Sequence, residues 1–356
     1  MSVPFRRGYT TAVRITIPRW AEALRNMPRV SRDQWDGLDL VSRWLVSTRA
    51  AALIMSVISA AIGGILALRA GVSRLWLWPL VCFGLVMAHG TNNLINDLVD
   101  FRRGVDRANY FRDLYGPQPL ERGYLSESRH RVYVLVTGLL ALGSGVVLGL
   151  LTGPLTWVLL GAGAFFLLFY TWPLKYVALG ELSLLIVWGP LMIGGTYAVL
   201  TGAWSWLAVV AGLPFALSVS ATLVGKHLDK REMDREKLIL TLPVVIGDAA
   251  SRILVMVMIA LQFGVLLLLV ALRYFSPLML LPFLSLAFLF KSVVPMFRHP
   301  RPAARPEGYP ETAWPLWFVA STFVFSRRFG AWYLLALVAD TGLRAISSAV
   351  GWSLFR

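Results

Sequence analysis

LWLWPLVCFGLVMAHGTNNLINDLVDFRRGVD, residues Leu75–Asp106, is apolar through Ile95 apart from a short polar patch and then turns sharply polar. The apolar part is long enough to cross ~30 Å of hydrocarbon as a helix. The last fifteen residues, Asn92–Asp106, hold three carboxylates, three side-chain amides and two arginines. Asn93, Asn96, Asp97 and Asp100 recur at intervals of three and four residues, so on a helix they share one face. That face continues the inner end of a membrane span. Charge at such a depth is costly unless it faces a polar cavity and finds partners.

Working outward, the same kind of apolar run recurs along the chain. Of 356 residues, 57% are hydrophobic and only 15% charged, against about 25% charged in a soluble domain. Mean hydropathy is +0.65. The runs are continuous rather than alternating, which favours helices over a barrel. The expected spans are 50–68, 75–95, 132–151, 154–170, 178–200, 204–224, 253–272, 277–297 and 330–350. The fold class is therefore all-α, a polytopic membrane bundle of about nine transmembrane helices. The apolar stretch 312–325 is short and reads as interfacial or re-entrant. Asp340 and Arg344 interrupt the last span. Domain organisation reads as a basic arm over 1–49, one membrane domain over 50–350 and a tail over 351–356.

The net charge is +15, yet nucleic acid is excluded as a partner, because no reading element or separate basic domain is present. Lys and Arg counts in successive loops run nine, two, seven, none, one, none, six, one and three. Richer and poorer loops alternate throughout. That places the N-terminus and every long polar loop on the cytoplasmic side, where anionic membrane lipids are partners. The arm 6–29 mixes arginines with Ile15, Ile17, Trp20, Leu24 and Met27, suiting either a surface-lying helix or a basic tail. Cys82 lies inside an apolar run and has no second cysteine to join. No apolar signal core follows the N-terminus.

A second polar cluster, GKHLDKREMDREK at Gly225–Lys237, closes the sixth expected span. Clustered carboxylate and amide oxygens are hard ligands suited to Mg²⁺, and neither cluster has the Cys/His content of a zinc or copper site. Acids mixed with closely spaced bases suit a metal together with a phosphate group. Two such clusters on one membrane side can share a diphosphate. A solvated charged loop is the plain alternative for the second cluster.

Asn96-Asp97-Leu-Val-Asp100 followed by Gly104-Val-Asp106 resembles the first aspartate-rich motif of the UbiA-type intramembrane prenyltransferases. Its form is closest to the 1,4-dihydroxy-2-naphthoate polyprenyltransferase branch. Three further blocks are similar to that family in the right order: Trp44–Arg49, then Leu179–Tyr197, then Thr241–Gly247. The second motif departs from the family pattern. Lys226 and His227 stand where paired asparagines are usual, Asp229 where an arginine is, and Lys230 where the first aspartate is. A displacement of one residue turns a side chain by ~100° about a helix axis, so Asp229 and Asp234 need not face one ion.

The resemblance implies a helix bundle around a central cavity with cytoplasmic aspartate-rich loops, in a bacterial or archaeal cell membrane. It implies transfer of a prenyl group from a polyprenyl diphosphate to an aromatic acceptor, with Mg²⁺ as cofactor. Asn96, Asp97 and Asp100 are expected to hold one ion, and Asp234 with Asp229 a second. Arg103, Lys175, Lys226 and Lys230 are candidate diphosphate donors, with Asn93 and His227 beside them. Asp106 orients a ligand or approaches the acceptor. Tyr170, Trp172 and Tyr197 are candidates to face the allylic cation, and Glu181 is a pairing partner or an acceptor ligand. His89 lies about two turns before Asn96 and reads as a buried hydrogen-bonded histidine or a base. A terpene cyclase on the same scaffold and an ion-coupled transporter are the alternatives. The position of the carboxylates at one membrane face disfavours the transporter, whose sites usually lie at the midplane.

Overall fold

A computed structural model of the chain describes residues 18–25, 30–72, 74–105, 118–311 and 313–349. Three short helices lead in: α1 (Pro18–Arg25), α2 (Arg32–Asp36) and α3 (Leu40–Ser47). The long helices follow as α4 (Ala50–Arg69), α5 (Trp78–Arg102), α6 (Glu127–Thr152) and α7 (Pro154–Phe169). Then come α8 (Gly180–Thr201) and α9 (Trp206–Asp229). Two short helices, α10 (Arg231–Glu236) and α11 (Leu242–Ile246), lead into α12 (Asp248–Ala271). The chain closes with α13 (Pro277–Arg298) and α14 (Phe318–Ala349).

Among the described residues, seven of these helices are long and apolar enough to cross a membrane: α4, α6, α8, α9, α12, α13 and α14. The other two expected spans are helical but differ in kind. α7 has only 16 residues. α5 has 25, and its C-terminal part is the polar Asn92–Arg102 stretch. The protein is an integral membrane protein, and its outward faces fit lipid. Leu150 on α6 and Val158 on α7 are 74% and 68% exposed, an arrangement that water would not favour.

Local sequence sets the helix ends. Ser126 opens α6 by accepting from the Arg129 amide at 3.4 Å. Thr152-Gly153, with Gly153 at φ 95°, turns the chain directly into Pro154 at the start of α7. The centre packs through small residues, which let membrane helices approach closely where no hydrophobic drive separates protein from lipid tails. A Cβ on Gly63 of α4 would sit 2.6 Å from the Ile193 carbonyl oxygen of α8. One on Gly212 of α9 would sit 2.5 Å from the Ile193 side chain. Around that contact Ile62, Phe215, Phe329 and Tyr333 are fully buried.

The last span begins earlier than the sequence suggests. Phe318–Phe325 is not re-entrant but forms the first two turns of α14. Its N-terminus is satisfied from another helix. The Asp229 carboxylate at the end of α9 accepts from the amides of Trp317, Phe318 and Val319, each at 3.0 Å. Arg328 is accommodated over the Phe288 ring at 4.3 Å. Asp340 is fully buried and accepts from the Ser276 amide at 2.6 Å. It lies 3.6 Å from Arg69 and 3.5 Å from Arg344, so the charges in the last span pair with one another and with α4.

Candidate active site

The polar half of α5 is helical to Arg102 and stops at Gly104, whose φ of 66° ends the helix. On it Asn96, Asp97 and Asp100 are buried. Each carboxylate meets a cation from a different element. Asp97 pairs with Arg49, which stands at φ 56° in the joint between α3 and α4. That left-handed conformation is uncommon for a residue with a side chain and persists only where surroundings enforce it. Here they do. Asp39 caps α3 by accepting from the Ser42 amide at 2.9 Å. The Trp44 indole donates to Thr137 of α6 at 2.9 Å. Asn93 donates to the Thr48 carbonyl at 2.8 Å.

Asp100 accepts twice from the Lys175 ammonium, at 2.9 and 3.1 Å. Lys175 comes from the loop between α7 and α8 and is itself buried. Asp234 on α10 accepts from Lys230 at 2.8 Å and from the Thr241 hydroxyl at 3.4 Å. His227 on α9 bonds Glu181 of α8 at 2.6 Å, and Glu181 also accepts from the Leu242 amide at 3.2 Å. The two polar clusters meet directly: the Lys237 ammonium donates to the Gly104 and Val105 carbonyls just beyond α5.

A cavity of about 660 Å³ opens beneath this network. Its polar end is lined by Arg49, Lys175, Lys226, Lys230 and His227, with Asn92, Asn93 and Asn96 beside them. The remaining wall is almost wholly apolar and runs between α6 and α7 past Gly138, Leu142, Gly163 and Leu167. Asp97, Asp100 and Asp234 do not line it; they stand behind the cations they pair with. Among the described residues, no three His, Cys, Asp or Glu side chains form a ready-made metal cage.

The sequence expectations sort accordingly. Asn93, Asn96, Tyr170, Lys175, Lys226, His227 and Lys230 come together on the cavity wall. Asp229 does not join them, because its carboxylate is spent on the first amides of α14; the second metal-site role expected for it is withdrawn. Glu181 holds His227 and the start of α11 in place rather than reaching the cavity. Tyr197 does not line the cavity and packs among the apolar residues around Leu77 and Leu200. Arg103 is exposed and stacks on Trp172 and Tyr176, 5.0 Å from each ring centre. Burial pushes the Tyr176 hydroxyl up to about 12. Asp106 lies outside the described residues. Arg49 is the residue that sequence reasoning missed. Its signal was an arginine directly abutting a 20-residue apolar helix, preceded by the small polar Ser47 and Thr48.

The model of the UbiA prenyltransferase family matches residues 56–318, most of the chain. The chain belongs to that family. By family it is an enzyme of the prenyltransferase class. Among curated proteins it is 28% identical over 239 residues to UbiA prenyltransferase domain-containing protein 1 of Danio rerio, covering 64% of this chain and 68% of that protein. To the Homo sapiens protein of the same name it is 33% identical over 179 residues, 49% of this chain and 52% of that one. The chain thus spans between about half and two-thirds of the length of these curated relatives. They are animal proteins, and their name does not single out the dihydroxynaphthoate branch or a microbial membrane. Among solved structures, a UbiA homolog from Archaeoglobus fulgidus bound to GPP and Mg²⁺ shares the fold. Its TM-score is 0.58 at 15% identity, covering 83% of this chain and 99% of that one. The apo UbiA homolog from Aeropyrum pernix K1 gives 0.59 at 18% identity, over 80% and 97%.

Proposed function

We propose that this UbiA-family chain transfers a prenyl group from an allylic prenyl diphosphate to an aromatic acceptor inside the membrane, releasing pyrophosphate. The observation that carries this reading is the cavity's polarity. Four basic side chains, Arg49, Lys175, Lys226 and Lys230, gather at one end of an otherwise apolar chamber. A molecule with a polyanionic head and a hydrocarbon tail matches that gradient end to end. A transported solute or a soluble substrate does not.

The residues perform four tasks. The cations stabilise the charge that develops on the leaving diphosphate, and fixed donors in a water-poor site do this without reorganising. The apolar wall binds the prenyl chain and keeps water from the allylic cation. Tyr170, on the same wall, offers a ring face to positive charge, worth about 0.5–2 kcal/mol. The buried carboxylates hold each cation at a fixed place: Asp97 holds Arg49, Asp100 holds Lys175 and Asp234 holds Lys230.

Mg²⁺ fits the donor set. It takes one or two protein carboxylates and completes its shell with substrate phosphates and water, so no three-residue cage is required. Asn96, Asp97, Asp100 and Asp234 are the hard oxygen donors that would hold it, the three carboxylates exchanging part of their contact with Arg49, Lys175 and Lys230 for the ion. When bound it supplies Lewis-acid neutralisation of the diphosphate oxygens. The A. fulgidus relative, bound to GPP and Mg²⁺, supports this assignment.

The first-motif resemblance supports a quinone-precursor ring such as 1,4-dihydroxy-2-naphthoate as the acceptor. The alternating loop charge supports a cytoplasmic N-terminus and a cytoplasmic polar end. The deciding experiment incubates the purified protein in detergent or nanodiscs with Mg²⁺, prenyl diphosphates of several lengths and hydroxylated aromatic acceptors. Mg²⁺-dependent pyrophosphate release with a prenylated product is expected. A cyclic hydrocarbon without acceptor would instead identify a cyclase, and neither product would end the proposal.

A further inference from the structure

We infer that His89 and Trp188 form the seat of the acceptor ring, with His89 Nε2 hydrogen-bonding a ring oxygen, hydroxyl or carbonyl. This rests on the proposed prenyl transfer and assigns its second substrate a place. His89 is the one histidine of the cavity wall that the diphosphate end does not employ. It lies seven residues before Asn96 on α5, about 10 Å nearer the bilayer middle. Nδ1 is fixed by the buried Ser56 hydroxyl of α4 at 2.8 Å. Nε2 has no hydrogen-bond partner among the described residues, while the ring lines the cavity.

The surroundings make that nitrogen unusual. At its depth the wall is Met55, Leu85, Ala88, Val187 and Met192. A nitrogen turned toward an apolar chamber loses hydration and recovers it only from a ligand. Leu or Met would line the same wall at lower cost. Trp188 provides the second observation. Its ring stands edge to face with His89, centres 5.4 Å apart and planes at 86°. It is 4% exposed, and its Nε1 is buried with no hydrogen-bond partner. Trp188 reaches the cavity from a π-helical stretch, Val187–Gly194, containing Pro190. Such stretches cost regular helix hydrogen bonding and recur at functional sites. The two rings are in contact and make one aromatic patch in an otherwise apolar wall, with His89 Nε2 the unanswered nitrogen on it; that patch fits a flat ligand carrying a ring oxygen. A prenyl tail has no atom to offer that nitrogen.

The experiment measures steady-state KM for each substrate separately, using geranyl or geranylgeranyl diphosphate with 1,4-dihydroxy-2-naphthoate and simpler dihydroxyarenes. Three proteins are compared: wild type, His89→Asn and His89→Gln. Asparagine can keep the Ser56 bond but cannot reach the Nε2 position; glutamine can reach it. His89→Asn is expected to raise acceptor KM about tenfold, the size of one buried hydrogen bond, with diphosphate KM changed less than twofold. His89→Gln should recover acceptor KM to within about threefold of wild type. An unchanged acceptor KM in a folded His89→Asn protein overturns the inference. So does an equal rise in both KM values, or failure of glutamine to rescue. If wild type itself releases no pyrophosphate and prenylates none of the acceptors, the proposed function falls first, and that outcome is distinct from the others.

Discussion

Replacing Asp229 separates two roles that the sequence alone runs together. In the second motif the residue reads as a metal ligand; in the structure its two oxygens take three backbone amides at the start of α14, each at 3.0 Å. A side-chain N-cap contributes about 0.5–2 kcal/mol. Here the cap is buried at 3% exposure and takes three amides rather than the usual one. Removing it strands buried donors at about 1–3 kcal/mol apiece, partly relieved as the first turn of α14 relaxes. Asp229→Ala should therefore cost about 2–4 kcal/mol. Asp229→Asn, which keeps one oxygen acceptor, should cost about half as much. The assay is thermal unfolding of the detergent-solubilised protein, with a fall on the order of 5–10 °C for alanine, alongside the Mg²⁺ concentration needed for half-maximal pyrophosphate release. That Mg²⁺ requirement should stay unchanged in whatever fraction remains folded. Native thermal stability combined with a severalfold higher Mg²⁺ requirement would refute the capping argument and return Asp229 to the metal.

Lys175→Met removes the ammonium paired with a carboxylate that is 1% exposed; breaking that buried pair should cost about 3–5 kcal/mol by thermal unfolding, and turnover by the surviving protein should fall at least about 100-fold. Asp97→Asn should abolish Mg²⁺-dependent pyrophosphate release and also lower thermal stability, because the buried ion pair with Arg49 loses its charge; wild-type turnover would overturn the site. Tyr197→Phe, outside the cavity wall, should leave both KM values within about twofold, as steady-state kinetics would report. Gly163 lines the cavity and a Cβ there meets no atom within 4 Å, so Gly163→Leu fills tail space rather than clashing. The expected product profile by mass spectrometry shifts toward shorter prenyl chains.

The helices were the legible part of the fold. Apolar runs of span length have few ways to satisfy their backbones, so each expected span corresponds to a helix. The errors fall where a terminus is settled from far away in sequence. Nothing within 310–325 announces that Phe318 begins a helix, because the cap comes from Asp229, 89 residues upstream. Asp340 and Arg344 made the last span look doubtful because a sequence shows charges without their partners. Arg69, at the end of the first long helix, is the missing one.

The site was legible in its residue types and not in its geometry. Spacing of three and four placed Asn93, Asn96, Asp97 and Asp100 on one face, which the helix confirms. Spacing cannot say whether that face meets the cavity or a neighbouring side chain. For the carboxylates it is the neighbour that decides. Arg49 reaches Asp97 only because its backbone takes a left-handed turn between α3 and α4. Lys175 reaches Asp100 from a loop 75 residues away. A bare aspartate cluster at this depth would repel itself and lose hydration together. Interposing one cation per carboxylate removes both penalties, and it also puts the positive groups in front, where a diphosphate would arrive. The acidic motif thus anchors the bases that face the anionic substrate, besides offering the oxygens that would hold Mg²⁺. That order of layers follows from electrostatics once the partners are known, and no reading of the motif by itself could supply them.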